Sequence, residues 1–80
     1  MAVRIVFLGP LRDIAVEDSL WATAPLDWAG LLDAVGPEVS RELQSKRVHV
    51  ACAGKVLSDK TALHAQDGEE IALLPPVSGG

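Results

Sequence analysis

Apolar residues along this chain follow two spacings, and the switch from one to the other marks out its elements. Val3-Arg4-Ile5-Val6-Phe7-Leu8 is a short, nearly continuous apolar run rich in β-branched residues, and Gly9-Pro10 follows it. Such a run bounded by turn residues predicts a strand and then a turn. Being apolar on both faces, it suits the middle of a sheet. Residues 15–21 predict a weaker antiparallel return arm of a hairpin. The spacing then lengthens. Trp28, Leu31, Leu32 and Val35 recur at i, i+3, i+4 and i+7, which predicts a helix with one apolar face. Asp27 stands where a carboxylate can cap its first turn, Leu26 and Leu31 are spaced for a hydrophobic staple, and Gly36-Pro37 closes it. Gly30 within it costs about 1 kcal/mol against Ala, so packing has to hold this element. Residues 37–44 predict a further short helical turn, with Val39 and Leu43 on one side and Lys46 and Arg47 at its C-terminal end.

Residues 48–53 alternate as a strand, Gly54-Lys55 turns, and Val56-Leu57 begins a short pairing partner. Residues 58–66 predict a polar loop anchored by Leu63. Asp67-Gly68 makes a turn into a last strand over residues 69–74, which Pro75-Pro76 ends because neither proline can donate to a ladder. Two strands, a helix and three shorter strands, with the most apolar strands first and last, suit an α+β domain. In it the terminal strands lie side by side and parallel in a mixed sheet, with one main helix packed on one face. That is the ubiquitin-like β-grasp arrangement, expected over residues 1–76 with a flexible tail over residues 77–80.

Eighty residues suffice for one domain with a modest core. Charged residues make up 22% of the chain and hydrophobic ones 49%, a balance that points to a globular protein and away from disorder. The formal net charge is −4, and Lys and Arg are scattered, so nucleic acid is not an expected partner. No apolar run approaches the ~20 residues a bilayer span needs, and no basic-then-apolar leader precedes the first strand, so the expected setting is the cytoplasm, with no membrane partner. The single cysteine, Cys52, has no partner for an internal disulfide and no Cys or His cluster beside it for a metal, and is expected as a small core residue. His49 and His64 are expected at the surface. No Ser/His/Asp, Cys/His or paired-carboxylate arrangement can be assembled, so catalysis by side chains of this chain is not expected.

The chemistry lies instead in Pro75-Pro76-Val77-Ser78-Gly79-Gly80. Glycine has no Cβ, so a terminal Gly80 carboxylate can thread a channel too narrow for other residues, with Gly79 keeping the approach slim. A free α-carboxyl is ionised at neutral pH and is a poor electrophile until it is converted to an acyl phosphate or adenylate. No phosphate-cradling glycine loop is present, so an ATP-using partner has to activate it. The diproline projects the tail with little entropy left to lose on docking, and residues 77–80 reach roughly 13 Å at ~3.3 Å per residue. Alternation supplies a surface beside the tail. With Val3, Ile5, Phe7, Ile71 and Leu73 inward, the outer face begins charged at Arg4 and Glu70. It becomes apolar through Val6 and Ala72 to Leu8 and Leu74, where the tail departs, as a docking surface would.

The segment Asp67-Gly68-Glu69-Glu70-Ile71-Ala72-Leu73-Leu74-Pro75-Pro76-Val77-Ser78-Gly79-Gly80 closely resembles the C-terminal signature of the MoaD/ThiS-like family, the small sulfur-carrying subunits of molybdopterin synthase. A looser resemblance runs through the first strand, Leu11-Arg12-Asp13, Asp27-Trp28-Ala29-Gly30-Leu31-Leu32 and residues 50–54. It implies a β-grasp fold and a sulfur carrier in molybdenum cofactor biosynthesis. An ATP-dependent activating enzyme would adenylate Gly80, sulfur would replace AMP to give a thiocarboxylate, and the tail would enter the large synthase subunit to donate sulfur to a cyclic pterin precursor. The implied partners are that activating enzyme and the large subunit, in a two-plus-two heterotetramer whose catalytic side chains lie on the large subunit. No cofactor is held permanently, ATP being consumed by the activating enzyme. The resemblance gives Gly80 the acyl and sulfur attachment and Leu8 and Leu74 the docking, and it sends Pro75, Pro76, Val77 and Ser78 into the partner. Ala53 departs from the family's frequent Asn before the Gly54 turn, and Ala62 from a frequent Pro, which suggests a different turn shape. Related carriers for thiamine or tRNA thiolation, and ubiquitin-like modifiers that form isopeptide bonds, share the Gly-Gly end.

Overall fold

The computed structural model describes residues 1–75. β1 (Ala2–Phe7) and β7 (Glu70–Leu74) are parallel neighbours at the centre of a five-stranded sheet, in the register Ile5↔Ile71 and Phe7↔Leu73. A parallel pair needs a crossover, so the chain between them passes over one face. β2 (Ser19–Thr23) lies antiparallel outside β1, while β4 (His49–Cys52) lies antiparallel to β7 and turns back into β5 (Lys55–Val56), giving the order β2-β1-β7-β4-β5. A small ribbon joins β3 (Leu26–Asp27) to β6 (His64–Ala65). The architecture is the expected α+β β-grasp.

Among the described residues three short helices share the covering layer, where the sequence suggested one main helix and a further helical turn over residues 37–44. α1 (Pro10–Ala15) occupies what was expected to be a turn and the start of a return arm. Pro10 at the first helical position is the reason, its fixed φ being already suited to a helix, and Leu11 is the residue that this helix buries. The return arm β2 therefore begins later, at Ser19. α2 (Trp28–Ala34) is capped as expected, Asp27 Oδ1 accepting from the Gly30 N–H at 2.8 Å. Gly30 is closely packed, and a Cβ there would lie 2.9 Å from Leu26 Cδ1 and 3.1 Å from the capping oxygen, so a larger residue would have to displace the Leu26 side chain. Gly36-Pro37 ends α2 but also opens α3 (Gly36–Leu43), with Val39 and Leu43 buried on one side.

The predicted polar loop before β7 holds more order than its composition suggests. It contains a 3-10 turn (Lys60–Ala62) and β6, with Leu63 buried between them as the anchor. Lys60, unremarkable within its polar segment, extends its Nζ to the carbonyl oxygens of Ser45 and Val48, the latter at 2.7 Å, and lies 6.0 Å from the Trp28 ring centre. It satisfies backbone acceptors between α3 and β4, and burial lowers its pKa.

The core forms where the inward residues of the central strands meet the helices. Val3, Ile5, Phe7, Val50, Ile71 and Leu73 pack with Leu11, Leu31, Val39 and Leu43 in one cluster. Truncating a fully buried member such as Ile71 to Ala costs about 2–5 kcal/mol. Cys52 is only half-buried at the margin of this cluster, a correction to its expected core position. The register explains it, since Cys52 sits opposite Ile71 at the end of β4, where the sheet meets an exposed turn.

Candidate functional site

The sheet face opposite the helices carries the residues singled out by alternation. Because β1 and β7 run parallel, both end at the same margin of the sheet, and the chain leaves β7 beside the end of β1. Val6 pairs in register with Ala72, and both are half-buried; one step further along lie Leu74, half-buried, and Leu8, 37% exposed. At the other end of the face Arg4 and Glu70 are register partners and form an ion pair at 3.7 Å between Nη1 and Oε2. Both are well exposed, so the pair contributes little, about 0–1 kcal/mol. The charged-to-apolar gradient expected along the outer face is present.

The face is wider than the sequence indicated. Strand register adds Ser19 beside Val6 and Trp21 beside Arg4 on one flank, and Ala51 beside Ala72 and His49 beside Leu74 on the other. Val56, opposite Ala51, continues it to the sheet's far edge. Trp21 is 67% exposed and Val56 59%, so the apolar surface reaches both edges. Alternation within each strand could have placed these residues on a face, but only the pairing register shows which face and beside what.

Of the tail, the described residues include Pro75; Pro76, Val77, Ser78, Gly79 and Gly80 lie outside them. Pro75 is half-buried, and its seat was not anticipated. Gly9, at φ 56 and ψ −136, passes so close that a Cβ there would lie 3.0 Å from Pro75 Cγ. The bare backbone after β1 thus forms one wall of the tail's root. The Leu8 and Gly9 carbonyls are engaged by the N–H groups of Leu11 and Arg12, which fixes this wall to the first turn of α1.

Apart from His49, the register partner of Leu74, the cysteine and histidine side chains stand away from this margin. The Cys52 thiol is pushed above its ordinary range by burial and secondarily by the Glu69 carboxylate, which leaves it a poor nucleophile. His49 and His64 are exposed as expected, and His64 Nδ1 lies 2.7 Å from Gln66 Nε2. Among the described residues no group of three or more His, Cys, Asp or Glu side chains is arranged to hold a metal. The shallow depressions along α1, lined by Arg12, Asp13, Glu17 and Asp18 and by Ile14, Val35 and Val39, lie on the helical side of the molecule. No helix among the described residues is long and apolar enough to cross a membrane. The geometry presents a strand end and a flat apolar face rather than a reaction pocket.

Comparison with known proteins agrees with the fold. The sequence profile of the ThiS family matches residues 5–80. None of the curated proteins matches the chain by sequence. Among solved structures, the small archaeal modifier protein 1 of Methanosarcina acetivorans superposes with a TM-score of 0.75 at 18% identity, over 99% of this chain and 96% of that one. The modifier protein SAMP1 of Haloferax volcanii gives 0.73 at 22% identity, over the full length of both chains. A chain from the complex of subunits 1 and 2 of the molybdopterin-converting factor of Helicobacter pylori gives 0.67 at 25% identity, again over the full length of both.

Proposed function

The chain belongs to the ThiS family, whose members are small non-catalytic sulfur carriers, and from that premise we propose that it is the sulfur-carrying small subunit of a molybdopterin synthase. The observation that carries the choice within the family is the joint spelling of the last strand and tail, Ile71-Ala72-Leu73-Leu74-Pro75-Pro76-Val77-Ser78-Gly79-Gly80, beside an open apolar face at Leu8 and Leu74. The similarity at 25% identity to a chain of the Helicobacter pylori converting-factor complex supports the same reading.

In this reading the Gly80 carboxylate attacks the α-phosphorus of ATP on an activating enzyme, releasing pyrophosphate and leaving an acyl adenylate. A sulfur nucleophile then displaces AMP, and a thiocarboxylate remains on Gly80. Leu8, Val6, Ala72 and Leu74 form the docking surface for the large synthase subunit. Pro75, Pro76, Val77, Ser78 and Gly79 enter it, bringing the sulfur to a pterin precursor in the cytoplasm. The body of the domain positions the acyl group and takes no part in bond making.

Intact mass after incubation with ATP, a sulfur source and the activating enzyme tests the proposal. The mass should rise by the difference between one sulfur and one oxygen, and Gly80→Ala should abolish most of that rise with the fold unchanged. Sulfur loading followed by transfer to a pterin precursor on the large subunit supports the molybdopterin role. Loading without that transfer would favour a thiamine or tRNA carrier, and ATP-dependent conjugates on a denaturing gel would favour a protein modifier.

A further inference from the structure

We propose that β2 is a self-complementary edge through which two copies of this chain associate, with Trp21 of each copy meeting at the two-fold axis. β2 is the outermost strand on its side of the sheet, and none of the described strands pairs with its free side. The hydrogen bonds flanking its pairing with β1, Phe7 N–H to the Asp18 carbonyl at 2.9 Å and the Ala24 N–H to the Met1 carbonyl at 3.1 Å, fix which groups are spent. Even-numbered residues of β2 turn their backbone groups to β1, so the N–H and C=O of Ser19, Trp21 and Thr23 point to the free edge.

Trp21 is the middle residue of Ser19–Thr23. An antiparallel copy placed about a two-fold axis at Trp21 therefore sets Trp21 opposite Trp21, Ser19 opposite Thr23 and Leu20 opposite Ala22. In that register Ser19, Trp21 and Thr23 all form bonded pairs, each exchanging both hydrogen bonds, with Cα atoms about 5.5 Å apart. No outward-pointing backbone group of the strand is left over. The two indoles, each 67% exposed alone, lie side by side on the open face. On the other face half-buried Leu20, packed against the margin of the core, meets half-buried Ala22 of the other copy.

Charge permits the pairing as well. Edge strands are ordinarily protected by charged residues, prolines or bulges, yet Ser19-Leu20-Trp21-Ala22-Thr23 contains neither a charged residue nor a proline. The acidic Glu17 and Asp18 just before it would face Pro25 and Ala24 of the other copy, not one another, so no like charges are brought together. Cross-strand aromatic pairs are among the favourable ones. The contact is small. One indole has roughly 150–250 Å² to bury, against ~800 Å² on each side of a standard stable interface, so the dimer is weak and reversible. It uses the edge two strands away from β7 and leaves Leu8 and Leu74 open.

Sedimentation velocity and backbone amide exchange of the full chain test this across a dilution series from ~1 mM to ~1 μM, a span chosen for an interface of this size. The sedimentation coefficient should fall from dimer to monomer on dilution. The amides of Ser19, Trp21 and Thr23 should lose protection with it, while those of Leu20 and Ala22 stay protected throughout. Trp21→Glu, which places like charges at the axis, should give monomer at every concentration. So should Thr23→Pro, which removes an outward N–H that β1 does not use. Val56→Glu at the opposite edge should change nothing. A chain that stays monomeric at the highest concentration overturns the proposal, including the case where β2 pairs only with a strand of an unlike protein. So does a dimer that persists in both β2 variants.

Discussion

Gly9→Ala should unsettle both the domain and the root of its tail, by an amount that the local geometry bounds. The backbone at Gly9 has φ 56 and ψ −136, a combination that side chains of L-residues resist. Holding a non-glycine residue in such a region costs of order 1–3 kcal/mol. The new methyl would also stand 3.0 Å from Pro75 Cγ, closer than carbon atoms settle, so Pro75 has to shift outward. The expected loss is therefore about 1–3 kcal/mol, and each kcal/mol lowers the melting temperature of a domain this size by roughly 4–8 °C. Urea denaturation of Gly9→Ala, Pro75→Ala and the double variant separates the two causes. Removing Pro75 Cγ should return the steric part and leave the backbone part. Sulfur loading measured where Gly9→Ala is still fully folded should be slowed, because the exit direction of the tail has moved. Unfolding of Gly9→Ala at the wild-type midpoint would refute the reasoning outright.

Three further outcomes are expected. Ala53 and Gly54 both have positive φ, 53 and 84, and Val16 ends α1 at φ 61, so Ala53→Asn and Val16→Gly should each stabilise by about 0.5–1 kcal/mol, read as a higher urea midpoint; a lower midpoint would contradict this. Leu74→Glu should weaken binding of the large synthase subunit in titration calorimetry without lowering the melting temperature, and unchanged affinity would remove Leu74 from the docking surface. The raised Cys52 pKa means the folded state favours the protonated thiol, so its contribution to stability is complete below the ordinary thiol range and declines as pH climbs through it. Cys52 should accordingly react with iodoacetamide more slowly in the folded chain than in urea at mildly alkaline pH, and Cys52→Ser should leave sulfur loading intact.

How far the sequence could be read depended on the range of the interactions involved. β1, β7 and the cap of α2 were legible because each follows from neighbours in sequence: a β-branched run, an alternation, an Asp three residues before the N–H it accepts from. The inward and outward sets of β1 and β7 were legible for the same reason. What escaped depended on distant partners. β6 is two residues long and exists because Leu26 and Asp27 pair with it across the fold. Lys60 looks like a loop lysine until its Nζ reaches carbonyls before and at the start of β4. Trp21 lay within an expected strand, but only the register beside Arg4 put it on the open face. The β4–β5 turn lies on Ala53-Gly54, one residue before the Gly54-Lys55 expected from the sequence. The structure gives Ala53 a left-handed conformation that Asn would hold more comfortably, so the turn carries strain at this residue.

The parallel pairing of β1 with β7 links these observations to the proposed function. In an antiparallel pair the end of β7 would lie beside the start of β1, and the tail would emerge next to Met1 and away from Leu8. Parallel pairing instead brings the end of β7 to the end of β1, where Leu8 is exposed and Gly9 is bare backbone. The apolar half of the face and the root of the tail then share one margin, so a partner that covers Leu8 and Leu74 already holds the tail's first residue against Gly9. In the proposed role, little further ordering would then be needed to direct the remaining residues into a channel, and the fold would contribute to the rate by positioning rather than by catalytic side chains. Moving the apolar patch to the other end of the same strands, by exchanging Arg4 with Leu8 and Glu70 with Leu74, should preserve the inward core and the sheet. Docking on the large subunit should be lost even with the Gly-Gly sequence intact. Retained sulfur transfer by that rearranged chain would mean that the tail is recognised alone and that the fold serves only to carry it.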